Sequence, residues 1–140
     1  MNKFSFGTKA EVLKILYENC EKLDAKVLKP SFFTVGEWNK DAEMIIQRLS
    51  REFYGSRKVI VRSSAKSEDS EKESLAGMYE SYICSNDESS IMKAVGKVIA
   101  SYGDYSINDQ VLVQEAMEEV GCSGVVFSRE PNAGGVLLRY

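Results

Sequence analysis

Histidine is absent from this chain of 140 residues. Its absence removes the commonest general base, the usual zinc ligand and any phosphohistidine. Chemistry in which the chain takes part must run on lysine, arginine, carboxylates, hydroxyls and backbone, or on residues it does not contain. Cysteine is sparse: Cys20, Cys84 and Cys122 are odd in number and widely spaced. That pattern predicts reduced thiols in a cytoplasmic protein rather than a disulfide framework. Without a Cys-x-x-Cys pair there is no signal for structural zinc. No apolar run reaches the length of a membrane span, and Met1 to Lys9 carries no signal-peptide apolar core. Lysines and arginines form no run that would hold a membrane surface. A net charge of −3 argues against a nucleic-acid partner, which calls for a basic footprint, but leaves room for a local pocket around one nucleotide.

What is present suits one soluble domain with a core of its own: 44% hydrophobic and 28% charged residues. Thr8 to about Leu23 reads as a helix, with Thr8 and Glu11 spaced as a capping box and Val12, Leu13, Ile15, Leu16 and Cys20 as an apolar stripe. Val27-Leu28 and Phe32 to Val35 read as short extended pieces around Pro30. A second helix is predicted over Lys40 to Phe53, with Ile45, Ile46, Leu49 and Phe53 inward. Lys58 to Val61 is a strand, Ser63 to Lys72 a polar loop and Met78 to Cys84 a second strand. Asp87 to Ser101 is a third helix that buries Ile91, Ala94, Val95 and Val98. Gln110 to Met117, Gly121 to Ser128 and Val136 to Tyr140 are strands, the last two joined by the turn at Pro131 to Gly135. The order predicts an α+β fold with a mixed or antiparallel sheet and about three helices, not alternating βαβ units. There is no repeat and no low-complexity tract. The final apolar strand stops without a turn or cap, which predicts a piece of a longer chain.

One stretch concentrates chemistry. The β-branched run Val59-Ile60-Val61 delivers Arg62 to a strand end. Ser63, Ser64, Ala65, Lys66, Ser67, Glu68 and Asp69 follow, then Ser74-Leu75-Ala76-Gly77-Met78-Tyr79-Glu80-Ser81. An arginine there needs a partner or an anion, and small hydroxyl residues with a glycine let backbone approach a ligand. The combination suggests phosphate handling without a Walker loop. Plainer readings exist for each residue. Arg62 could pair with Glu68 or Asp69, those two carboxylates could simply order a solvated loop, and Gly77 and Ser81 could mark a bend before a strand. Lys9, at the start of the first helix, is either a surface lysine or a cation beside backbone N–H groups that favour an anion.

These segments resemble the nucleotide-binding, ATP-grasp-like domain at the N-terminus of the phosphoenolpyruvate synthase and pyruvate phosphate dikinase family. Its pattern reads R-S-S-A-x-x-E-D, a short gap, then S-F-A-G-x-x-x-T, and the chain matches with serine for the last threonine. The opening G-G-K-x-x-x-L is met by Gly7, Lys9 and Leu13, with Thr8 for the second glycine. V-P-P-G-F is poorly kept as Leu28-Lys29-Pro30-Ser31-Phe32. Val111-Leu112-Val113-Gln114-Glu115-Ala116-Met117 resembles V-L-V-Q-x-M, and Gly124 to Pro131 resembles G-V-x-F-T-R-x-P, where Arg129 is structural. The resemblance implies that Lys9 and Arg62 neutralise the terminal phosphates of ATP and serve catalysis. It further implies that Gly77 and Ser81 cradle the phosphates and that Gln114, Glu115 and Met117 seat adenine and ribose. The family's magnesium carboxylates are not found in Val136 to Tyr140, so no metal site is expected within this chain and the Mg²⁺ ligands are expected beyond residue 140. The whole chain would then be a single domain, the first portion of an ATP-binding domain. Its partners would be ATP and the phosphohistidine and acceptor domains downstream. The implied reaction is ATP-driven phosphorylation of a carrier histidine, then transfer to pyruvate or a related acceptor, with the 140-residue piece inactive alone. Two alternatives stay open: a kinase of the same family with another acceptor, such as an antibiotic, a glucan or an amide, and a non-catalytic nucleotide-binding or interaction module.

Overall fold

A computed structural model describes residues 7–65 and 80–124 of the chain. The elements are helix α1 (Lys9–Glu18), a single 3-10 turn (Cys20–Lys22), strand β1 (Ser31–Thr34), helices α2 (Val35–Lys40) and α3 (Ala42–Glu52), strands β2 (Lys58–Ser64) and β3 (Ser81–Ser85), helix α4 (Glu88–Ser101) and strand β4 (Gln110–Glu115). The strands form one antiparallel sheet in the order β1-β4-β2-β3, so the class is α+β as expected. β2 and β4 hold the β-branched runs, and these occupy the centre, where both strand edges are paired.

Side chains alternate between the two faces of a strand. Val59 and Val61 of β2, Val111 and Val113 of β4 and Phe33 of β1 therefore share one face. They are buried against Ile45, Leu49 and Phe53 of the α3 region and Ile91, Ala94, Val95 and Val98 of α4. Phe33 stacks on Trp38 of α2 with ring centroids 5.5 Å apart. Asp87 caps α4 and Asp41 caps α3, accepting from the amides of Ser90 (2.8 Å) and Met44 (2.9 Å). Both buried stripes predicted for these helices are found, residue for residue.

Several elements depart from the sequence reading. Phe32 to Thr34 is extended within β1 as expected, but Val35 opens α2, a fourth helix. A second capping box causes it: the Thr34 hydroxyl accepts the Glu37 amide, and the Glu37 carboxylate accepts the Thr34 amide at 2.7 Å. α1 stops at Glu18 because the Asn19 side chain donates to the Ile15 carbonyl at 2.8 Å and the chain tightens into the 3-10 turn. Its predicted apolar stripe is not buried: Ile15 is 59% exposed, and only Ala10 of this helix is fully covered. β2 continues through Ser64, so Arg62 lies inside the strand and Ser63 and Ser64 belong to the ladder rather than to a loop. Val27-Leu28 is irregular, β4 ends at Glu115, and Gly121 to Gly124 is irregular. The rest of that predicted strand, the last strand, Met78-Tyr79 and Arg129 lie outside the described residues.

Candidate functional site

The second face of the sheet carries the polar groups. Lys58, Ile60, Arg62 and Ser64 of β2 share it with Gln110, Leu112 and Gln114 of β4 and with Ser81 and Ile83 of β3, by strand alternation and register. Arg62 stands directly across from Ser81 on one side and Leu112 on the other. Two residues nineteen positions apart in sequence are thus brought to one rung. Opposed residues of an antiparallel pair are close enough to act on one ligand. Leu112 is fully buried beside them.

α1 crosses this face at the Ser64–Gln110 end. Its N-terminus is tied down by side chains. The Thr8 hydroxyl accepts the Glu11 amide at 3.3 Å, and the Glu11 carboxylate accepts the Thr8 amide at 2.9 Å. The Ala10 amide donates to Ser64 Oγ at 2.9 Å. Three amides at this helix start are therefore engaged within the protein, and the cation it offers an anion is the Lys9 ammonium. Lys9 Nζ donates to the Ser63 carbonyl at 3.4 Å, one residue from Arg62. Gly7 suits the same corner: a Cβ there would collide with the Glu11 carboxylate, which would have to shift. Thr8, which replaces a glycine of the family pattern, serves as the N-cap.

The residues expected around adenine divide. Gln114 lies on the polar face, two positions along β4 from Leu112 or roughly 7 Å. It is buried, and its Nε2 donates to the Leu28 carbonyl at 3.1 Å. Glu115 has the opposite parity and is exposed, and Met117, past the strand end, is 60% exposed. These two help to line an open cleft of about 340 Å³ at the end of β4 with Leu28, Lys26, Arg57 and Lys58. Lys58 pairs with Glu118 at 3.6 Å on its rim. Gly77, Glu68 and Asp69 lie outside the described residues.

Three polar residues escaped the sequence reading as site groups: Ser64, Tyr102 and Gln110. Ser64 stood in the Arg62-Ser63-Ser64-Ala65 stretch without a role of its own, and Gln110 showed only as a glutamine heading the apolar run Val111 to Val113. Among the described residues two titrations are displaced, both away from this face. Burial, and then the charge of Asp87, push the Cys84 thiol up, so it stays protonated at neutral pH. Hydrogen bonds from the Ser90 hydroxyl and amide hold the Asp87 carboxyl below its ordinary value. Among the described residues no three His, Cys, Asp or Glu side chains gather to hold a metal ion. No helix among them is long and apolar enough to cross a membrane.

Fold and face together define an α+β domain that gathers Arg62, Lys9 and hydroxyl groups on one face of its sheet, around the buried Leu112. The family described as pyruvate phosphate dikinase, AMP/ATP-binding domain, matches residues 7–139. The chain belongs to this family. No curated protein and no solved structure matches it.

Proposed function

We propose that the chain seats ATP along the polar face of β2 and β4, with the phosphates at Arg62, Lys9 and Ser81 and the adenosine toward Gln114, Glu115 and Met117. The observation that carries this reading is the Arg62–Ser81 rung with Lys9 held at the neighbouring Ser63. The guanidinium can donate two parallel hydrogen bonds to one phosphate, the ammonium adds a point charge, and the serine hydroxyl adds a neutral donor. Gly77, assigned by the family pattern, would let backbone approach the same phosphates. Arg62 and Lys9 are the charge-stabilising groups for transfer, since phosphoryl transfer rests on positioning and electrostatics. The cleft beyond β4 supports the adenosine assignment, because it joins the apolar Leu28 and Met117 to the polar edge of Glu115.

In this reading the 140 residues are the first portion of an ATP-binding domain of a cytoplasmic phosphotransferase similar to phosphoenolpyruvate synthase. A carrier histidine and an acceptor domain belong to other parts of that enzyme, as do the magnesium ligands. Lacking histidine, the chain itself can supply no carrier. Calorimetric titration of the chain and of Arg62→Ala with ATP tests the reading. Loss of a charged hydrogen-bonding partner predicts a Kd about 10- to 100-fold weaker. Equal affinity for the two proteins rejects the phosphate assignment.

A further inference from the structure

We propose that Gln110 and Tyr102 are positioning residues for Lys9: with Ser64 they clamp the first turn of α1 onto the ends of β2 and β4 and so hold the ammonium beside Arg62. The proposal rests on the reading that Lys9 meets phosphate. Gln110 uses both ends of its carboxamide on α1. Its Oε1 accepts from the Thr8 hydroxyl and its Nε2 donates to Glu11 Oε1 at 3.1 Å. It therefore fastens both members of the capping box that starts the helix. Ser64 stands opposite Gln110 in the last rung between β2 and β4. The Tyr102 hydroxyl bridges that rung, accepting the Ser64 amide at 3.2 Å and donating to the Gln110 carbonyl. Ser64 Oγ then takes the Ala10 amide.

The circuit closes through α1, β2, α4 and β4, and its side chains are nearly all out of water: Thr8 is 4%, Ser64 0%, Gln110 7% and Tyr102 9% exposed. Satisfied polar networks in a low-dielectric setting are stiff. Lys9 lies between Thr8 and Ala10, both pinned by this circuit, so its backbone is fixed while its ammonium reaches the Ser63 carbonyl. Fixing a cation in advance lowers the ordering cost of binding an anion. A network serving stability alone would weaken the fold without caring whether Lys9 is present.

The test uses the full chain and the substitutions Tyr102→Phe and Gln110→Leu, each made alone and with Lys9→Ala. ATP affinity is read by calorimetry, and hydrogen exchange is read at the Ala10 and Glu11 amides. Each single substitution should weaken ATP binding about fivefold and speed exchange at those amides by a similar factor, the worth of one net hydrogen bond. With Lys9 already replaced, the same substitutions should leave ATP affinity unchanged. Equal losses in both backgrounds, or unchanged exchange at Ala10 and Glu11, overturn the proposal. Should Gln110→Leu fail to fold, Tyr102→Phe decides alone, since it removes one oxygen and keeps the ring in the core. Lys9→Ala with undiminished ATP affinity rejects the phosphate role of Lys9, and amide exchange then still decides whether the clamp exists.

Discussion

Single atoms decide much at the corner where α1 meets the sheet. Gly7→Ala would drive a methyl into Glu11 Oε2, the atom that accepts the Thr8 amide, so the carboxylate has to move off that amide. Losing that cap predicts a destabilisation of about 0.5–2 kcal/mol, read as a lower urea midpoint at unchanged m-value. Ser81→Thr restores the family's residue and keeps the hydroxyl across from Arg62, so ATP affinity should be retained, whereas Ser81→Ala should weaken it severalfold in the same titration. Cys84 and Cys122 should also part company. The thiolate is the reactive form, and the raised Cys84 thiol holds little of it at neutral pH, while Cys122 is exposed. Mass spectrometry after brief alkylation at pH 7.5 should find Cys122 modified well ahead of Cys84. At this scale the sequence showed which residues carry charge and hydroxyls. It did not show that Arg62 faces Ser81, because that pairing depends on strand register, nor that Gln110 turns both ends of its side chain to α1.

Elements were legible where burial follows periodicity. α3 and α4 present apolar residues every three or four positions, and those residues are the buried ones. α1 shows a similar stripe, yet Ile15, Leu16 and Tyr17 remain exposed, because hydrophobicity marks a face without saying what covers it. α2 is six residues long and includes Gly36, too short for a period to declare itself, and its only local signal was Thr34 with Glu37. α4 adds a pH dependence. Its cap Asp87 has a folded pKa below the ordinary 3.8, so its contribution to stability is fully present above about pH 4 and is lost as pH falls through the folded value. Asp87→Asn keeps an acceptor at the cap and does not titrate. Thermal melts should therefore show the wild-type chain losing more Tm than Asp87→Asn between pH 5 and about pH 3, with the two similar at neutral pH.

The whole molecule divides its work between the two faces of one sheet. The face under α3 and α4 is apolar and carries stability: Leu49 is fully buried there, and Leu49→Ala should cost about 2–5 kcal/mol. The other face carries Arg62, Ser81, Gln110 and Gln114, with Lys9 brought in by α1. A chain of net charge −3 thereby collects two cations at one place, a local arrangement that total charge conceals. The antiparallel α+β class followed from the order of elements; the division between faces required the register. The most direct test of the proposed seat is a map of backbone amide shifts as ATP is added. The account predicts perturbations at Lys9, Arg62, Ser81 and Leu112 and again from Gln114 to Met117, with the α3 and α4 amides unmoved. Perturbations confined to α3 and α4, or to the outer turn of α1 around Tyr17, would contradict it.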